Sequence, residues 1–172
     1  ALFSPPELNL LPFATMRERD LRLGAAAHCS IDCDQRVGLI EAVMNLLNLS
    51  ADESRRRIAE FVVQNAPIEA VYAWIRELAT PRSLVDKSTL NASHVRILTR
   101  ALCIDPSARY LHLVRHPAAV IDSLQRMYFV GRRDFTAAEE LWTVPNRNIL
   151  SFLQCVDPQQ QLRLGFEDLV RD

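Results

Sequence analysis

A chain of 172 residues is long enough for one domain with a real core, and its 49% hydrophobic and 24% charged content is ordinary for a globular protein. The formal net charge of -1 gives no global field to recruit nucleic acid or an anionic membrane. No apolar run approaches a membrane span, and no signal-peptide pattern follows Ala1. Cys29, Cys33, Cys103 and Cys155 match no common zinc or redox spacing. Cys29 and Cys33 with His28 lack a second ligand pair, so no metal is expected. Reduced thiols in a cytoplasmic protein are the expectation.

Ala1 to Leu8 reads as the end of a strand entering a Pro5-Pro6 turn, since neither proline can donate to a ladder. Glu7 follows, ahead of Leu8, Leu10, Leu11 and Phe13. A glutamate there is either surface or lines a cleft as a general base. Arg17 to Arg36 carries no clear period. Val37 to Leu49 is helical, with Leu39, Ile40, Val43, Met44 and Leu47 on one face. Ser50-Ala51-Asp52-Glu53 has the form of a capping box and starts a helix that buries Ile58, Phe61 and Val62. Arg55-Arg56-Arg57 on that helix reads as a solvated face. Pro67 opens a third helix with Val71, Ile75 and Leu78 inward. Residues 37–79 thus form a helical block, read as an insertion or lid between strands.

Ser83 to Lys87 is a second short strand, with Lys87-Ser88-Thr89 at its carboxyl end. A lysine with hydroxyls there suits a phosphate or sulfate, and equally a turn with a capping serine. A helix over Val95 to Leu102 and an Asp105-Pro106 turn lead to a third strand, Tyr110 to Val114. Its apolar run suggests cover on both faces. Pro117 suits the first turn of the next helix, which runs to about Val130, with Val120, Leu124 and Met127 or Tyr128 at helical spacing. Arg115 therefore stands at the carboxyl end of a strand just before a helix N-terminus. In open α/β sheets that is where anions bind, and a guanidinium grips phosphate with two parallel hydrogen bonds. The alternative is that Arg115 pairs with a nearby carboxylate.

Phe135 to Val156 is a long helical pattern that Pro145 should kink or split. Gln161 to Phe166 is another strand, and Leu169 begins a further helix. Strands alternate with helices across connections long enough for crossovers, which predicts an α/β fold with a parallel sheet. There is no Gly-rich phosphate loop and no Walker lysine, so a P-loop kinase is disfavoured.

Several stretches together resemble one family. They are Ser4-Pro5-Pro6-Glu7-Leu8, Val85-Asp86-Lys87-Ser88, and Tyr110-Leu111-His112-Leu113-Val114-Arg115-His116-Pro117 through Ser123. Trp142 with Asn146-Arg147-Asn148-Ile149-Leu150, and Phe166-Glu167-Asp168-Leu169-Val170-Arg171-Asp172, complete the set. The chain is similar to sulfotransferases that use 3′-phosphoadenosine 5′-phosphosulfate (PAPS), most of all to those of bacterial polyketide synthases and their stand-alone relatives. The resemblance implies a three-layer fold with a parallel central sheet, like that of nucleotide kinases, with residues 1–172 as one partial domain. It implies that Arg115 and Ser123 bind the donor's 3′-phosphate and that Glu7 is the base on an acceptor hydroxyl. Lys87 would hold acceptor or donor. Acceptors in the polyketide group are β-hydroxyacyl chains on an acyl carrier protein. Sulfation there sets up loss of sulfate with decarboxylation to a terminal alkene.

The family's glycine-containing 5′-phosphosulfate loop lies upstream of the segment matching Ser4 to Glu7. The chain is therefore expected to start after that loop, to end before the last helices, and to be a poor enzyme by itself. Thr89, Pro145 and Gly165-Phe166 depart from the family's usual residues. Those departures also fit a degenerate, non-catalytic scaffold or interaction module of the same fold.

Overall fold

The computed structural model describes residues 1–26, 35–126 and 134–171. Cys29, Cys33 and His28 fall outside them, as do Met127 to Val130. The described chain forms two compact units, Ala1–Asn91 and Ala92–Asp172.

In the first unit, β1 (Leu2–Phe3) lies parallel to β2 (Ser83–Leu84), with Leu2 opposite Ser83 and Phe3 opposite Leu84. Both strands are shorter than their apolar pattern suggests. Four helices connect them: α1 (Met16–Ala26), α2 (Val37–Leu47), α3 (Ala51–Val63) and α4 (Ile68–Ala79). Each boundary has a local cause. At the end of α2, Asn48 takes left-handed backbone (φ 53°) and donates its N–H to the Met44 carbonyl. At the start of α3 the capping box is complete: Ser50 Oγ accepts from Glu53 N–H, and the Glu53 carboxylate accepts from Ser50 N–H at 2.9 Å. Pro67 stays extended just ahead of α4.

Leu8, Leu10, Met16, Leu39, Val43, Ile68, Val71 and Ile75 are fully buried and form the centre of this unit. Phe61 of α3 and Trp74 of α4 pack ring on ring at 4.8 Å. The arginine run is solvent-facing as expected, and Arg55 pairs with Asp52 one turn back at 2.9 Å. The unexpected element is α1. Its inner stripe is Met16, Arg19 and Leu23, so a charged residue occupies the middle of a buried face.

The second unit opens with α5 (Val95–Ile104), capped by His94, whose Nδ1 accepts from Arg96 N–H. Then come β3 (Tyr110–Val114), α6 (Pro117–Arg126), α7 (Phe135–Leu153), β4 (Gln161–Gly165) and the short α8 (Phe166–Leu169). β3 and β4 are parallel over five residues, from Tyr110 opposite Gln161 to Val114 opposite Gly165. The crossover between them runs through α6 and α7, as a parallel pair requires.

Two expectations need correction here. β3 is not covered on both faces. His112 and the Tyr110 ring face α7, but Leu111 is 62% exposed and Leu113 50%. With Leu162 opposite Leu111, they form an open apolar ledge. Nor does Pro145 split its helix: α7 runs unbroken through it. Asn146, the next residue, donates its side-chain N–H to the Trp142 carbonyl at 2.7 Å and accepts from the buried His112 ring through Oδ1 at 3.1 Å. These bonds tie the proline turn to the sheet.

Candidate functional site

The four residues singled out from sequence lie two on each unit. Arg115 and Ser123 are in the second. Arg115 follows the last residue of β3, and its guanidinium sits over the Phe166 ring, 4.9 Å from the centroid. Among the described residues it makes no salt bridge, although the Glu167 carboxylate lines the same cleft and feels its charge. Arg115 is exposed and lines an open cleft of about 380 Å³ together with Arg163, Arg171, Glu167, His116 and Pro117. Three arginines border this cleft against one glutamate, and Arg171 also lies 3.9 Å from Asp168; the surplus of positive charge suits an anion.

The backbone contributes less than a helix start usually does. His116 N–H already donates to Glu167 Oε1 at 2.9 Å, Pro117 has no N–H, and Ala118 N–H donates to His116 Nδ1 at 3.2 Å. An anion in this cleft would therefore be held by side chains and the helix dipole, not by free amides. The Glu167 carboxylate is itself held below the usual range. The main cause is the bond from His116 N–H; its own N–H and the nearby positive charge of His116 and Arg115 add to it. Ser123 is exposed on α6, six residues beyond Pro117, and does not line the cleft. At about 1.5 Å per residue it stands roughly 9 Å along the helix.

Glu7 and Lys87 belong to the first unit. Glu7 is half-buried in the irregular segment after Pro6, and Lys87 is exposed beyond β2. Between them runs a network that sequence reasoning did not find. Asp86 accepts at both oxygens: Oδ1 from Ser88 N–H and Ser88 Oγ–H, Oδ2 from Tyr72 O–H at 2.5 Å and Asn91 Nδ2–H at 3.1 Å. Ser88 Oγ in turn accepts from Asn9 N–H at 2.9 Å. Ser88 is 5% exposed and its hydroxyl is used in both directions, so it serves the loop and not a ligand. Thr89 opens a 3-10 turn over Thr89–Ser93. The detectable signals were Asn9, since asparagine tolerates left-handed backbone, and Glu167, placed just past a strand end. Arg19 gave none, because a charge on a buried stripe hides the period.

A family model described as the Sulfotransferase family matches residues 5–172. The chain belongs to the sulfotransferase family. Solved sulfotransferases resemble it over nearly its whole length. The sulfotransferase domain from the curacin biosynthetic pathway is 38% identical with a TM-score of 0.85, over 99% of this chain and 60% of that one. The sulfotransferase domain of the Synechococcus PCC 7002 olefin synthase is 39% identical with a TM-score of 0.90, over 99% of this chain and 59% of that one. The sulfotransferase chain described here thus spans about 60% of the length of the solved structures it matches. A search of the curated proteins finds no match. The mixed α/β architecture with parallel strands is that of the sulfotransferase fold. No described helix is long and apolar enough to cross a membrane.

Proposed function

We propose that this sulfotransferase contributes to transfer of a sulfuryl group from PAPS to the hydroxyl of a β-hydroxyacyl chain carried on an acyl carrier protein. The observation that carries this reading is the likeness, at 38–39% identity, to sulfotransferase domains from a curacin pathway and an olefin synthase. In the proposed reaction Glu7 takes the proton from the acceptor hydroxyl. The freed oxygen attacks sulfur, the bond from sulfur to the bridging phosphate oxygen breaks, and adenosine 3′,5′-bisphosphate leaves with the electron pair. Little covalent chemistry falls to the protein in such an in-line transfer; position and charge do the rest. Arg115 holds the donor's 3′-phosphate, with Ser123 further along α6. Lys87, a mobile point charge beside the Asp86 network, steadies acceptor or donor.

A scaffold without activity is the competing reading, and the departures from family pattern are its basis. Two of them are structurally absorbed. Pro145 lies in an unbroken helix, and a Cβ at Gly165 would meet Asp168 Oδ2 at 2.5 Å, so the glycine admits that carboxylate. The deciding experiment incubates the full gene product with PAPS and a β-hydroxyacyl pantetheine and follows addition of one SO₃ by mass spectrometry. Transfer is expected, with Glu7→Gln slowing it by about 10²–10⁴-fold, the usual worth of a general base. A folded protein that binds neither PAPS nor adenosine 3′,5′-bisphosphate would establish the scaffold.

A further inference from the structure

Glu7 sits in a segment with no helix or strand to hold it, yet a general base must be fixed to within a fraction of an ångström. Three elements grip the backbone of residues 7–9. From α1, Arg19 donates Nε–H to the Asn9 carbonyl and Nη2–H to the Leu8 carbonyl, both at 2.9 Å. From beyond β2, Ser88 Oγ accepts the Asn9 N–H at 2.9 Å and donates to Asp86 at 2.5 Å. From α2, Gly38 lies flat against Glu7 itself: a Cβ there would fall 2.0 Å from the Glu7 carbonyl oxygen and 2.7 Å from its carbonyl carbon. Asn9 joins the three. It takes left-handed backbone (φ 48°), is 1% exposed, and donates Nδ2–H to the Gln35 carbonyl just before α2.

The geometry points to Gly38 and Ser88 as positioning residues for Glu7. α2 bares its backbone at Gly38 so that the Glu7 peptide can seat against it. Ser88 pins the Asn9 peptide to the loop that bears Lys87, so the carboxylate and the lysine loop share one rigid base. Neither residue touches substrate; each acts through Glu7. Gly38 is needed for closeness, not for an unusual φ, because it lies in ordinary helix.

This inference rests on Glu7 being the base, and a double-mutant cycle in the full gene product separates the two claims. With PAPS and a β-hydroxyacyl pantetheine, Gly38→Ala is expected to lower kcat by about 10–100-fold, the scale of a small misplacement. Affinity for adenosine 3′,5′-bisphosphate should not change. In a Glu7→Gln background the same substitution should cost nothing further, because the group it misplaces is gone. Where Gly38→Ala does not fold, Ser88→Ala, which adds no bulk and removes the bonds to Asn9 and Asp86, decides by the same criteria. An equal fold-loss in both backgrounds, or wild-type kcat in the single variant, overturns the positioning role while Glu7 stands. Wild-type kcat in Glu7→Gln overturns the role of Glu7 and the positioning inference with it.

Discussion

Arg115 stacks on Phe166 and forms no salt bridge among the described residues, which leaves its outer edge open to a ligand. If it grips the 3′-phosphate, Arg115→Ala should weaken binding of adenosine 3′,5′-bisphosphate by about 2–3 kcal/mol, the scale for bonds to charged groups. Titration calorimetry reads this directly, and unchanged affinity would remove Arg115 from the site. Arg115→Lys should recover only part of the loss, since an ammonium lacks the planar fork. Beside it, Glu167 couples the turn to pH. Its folded pKa lies below the ordinary 4.5, so the stability it contributes is complete above that value. It is lost as pH falls through the lowered pKa. Urea midpoints measured downward from pH 4.5 should therefore decline less steeply in Glu167→Gln, which keeps an acceptor for His116 N–H but carries no charge.

Among the elements, α3 depends most plainly on its first residues. Ser50→Ala removes one side of the capping box and should lower stability by about 0.5–2 kcal/mol in thermal melts. Bonding to Ser50 also holds the Glu53 carboxyl below its usual range, so this helix start weakens in acid as well. The box was legible in sequence because capping is written in four consecutive residues. The same holds for Pro117 at the start of α6 and for the run Tyr110 to Val114 that became β3. What could not be read was decided by distant partners. Arg19 is buried because two carbonyls from Leu8 and Asn9 receive it, and no local pattern announces them. The bonds of Asn146 to Trp142 and His112 are likewise made by groups that no local pattern brings together. The place of Arg115, between a strand end and a helix-opening proline, was legible from residues 110–117 alone. The roles of Ser88 and Asp86 emerged only when Asn9 and Tyr72 were brought to them.

The whole molecule is unevenly built. Its buried hydrophobic side chains lie mostly in Ala1–Asn91, whereas Ala92–Asp172 contributes Ile121, Ala138, Phe152 and Val156 among the described residues. Local stability follows buried apolar contact, so amide hydrogen exchange should be slower in α2 and α4 than in α5 to α7. Equal protection in both units would contradict that reading. The asymmetry also sets an order of events at the ribosome. The partner of β1, and the neighbours of the fully buried side chains around Leu8, Leu39 and Ile75, lie within Ala1–Asn91, so this unit can fold once that stretch has left the ribosome. At about 5–20 residues per second, the first unit has several seconds to fold while the rest is still being made. The arginine cleft and the leucine ledge belong to the later segment, and they form beside a unit that carries Glu7 and Lys87 and already has its core.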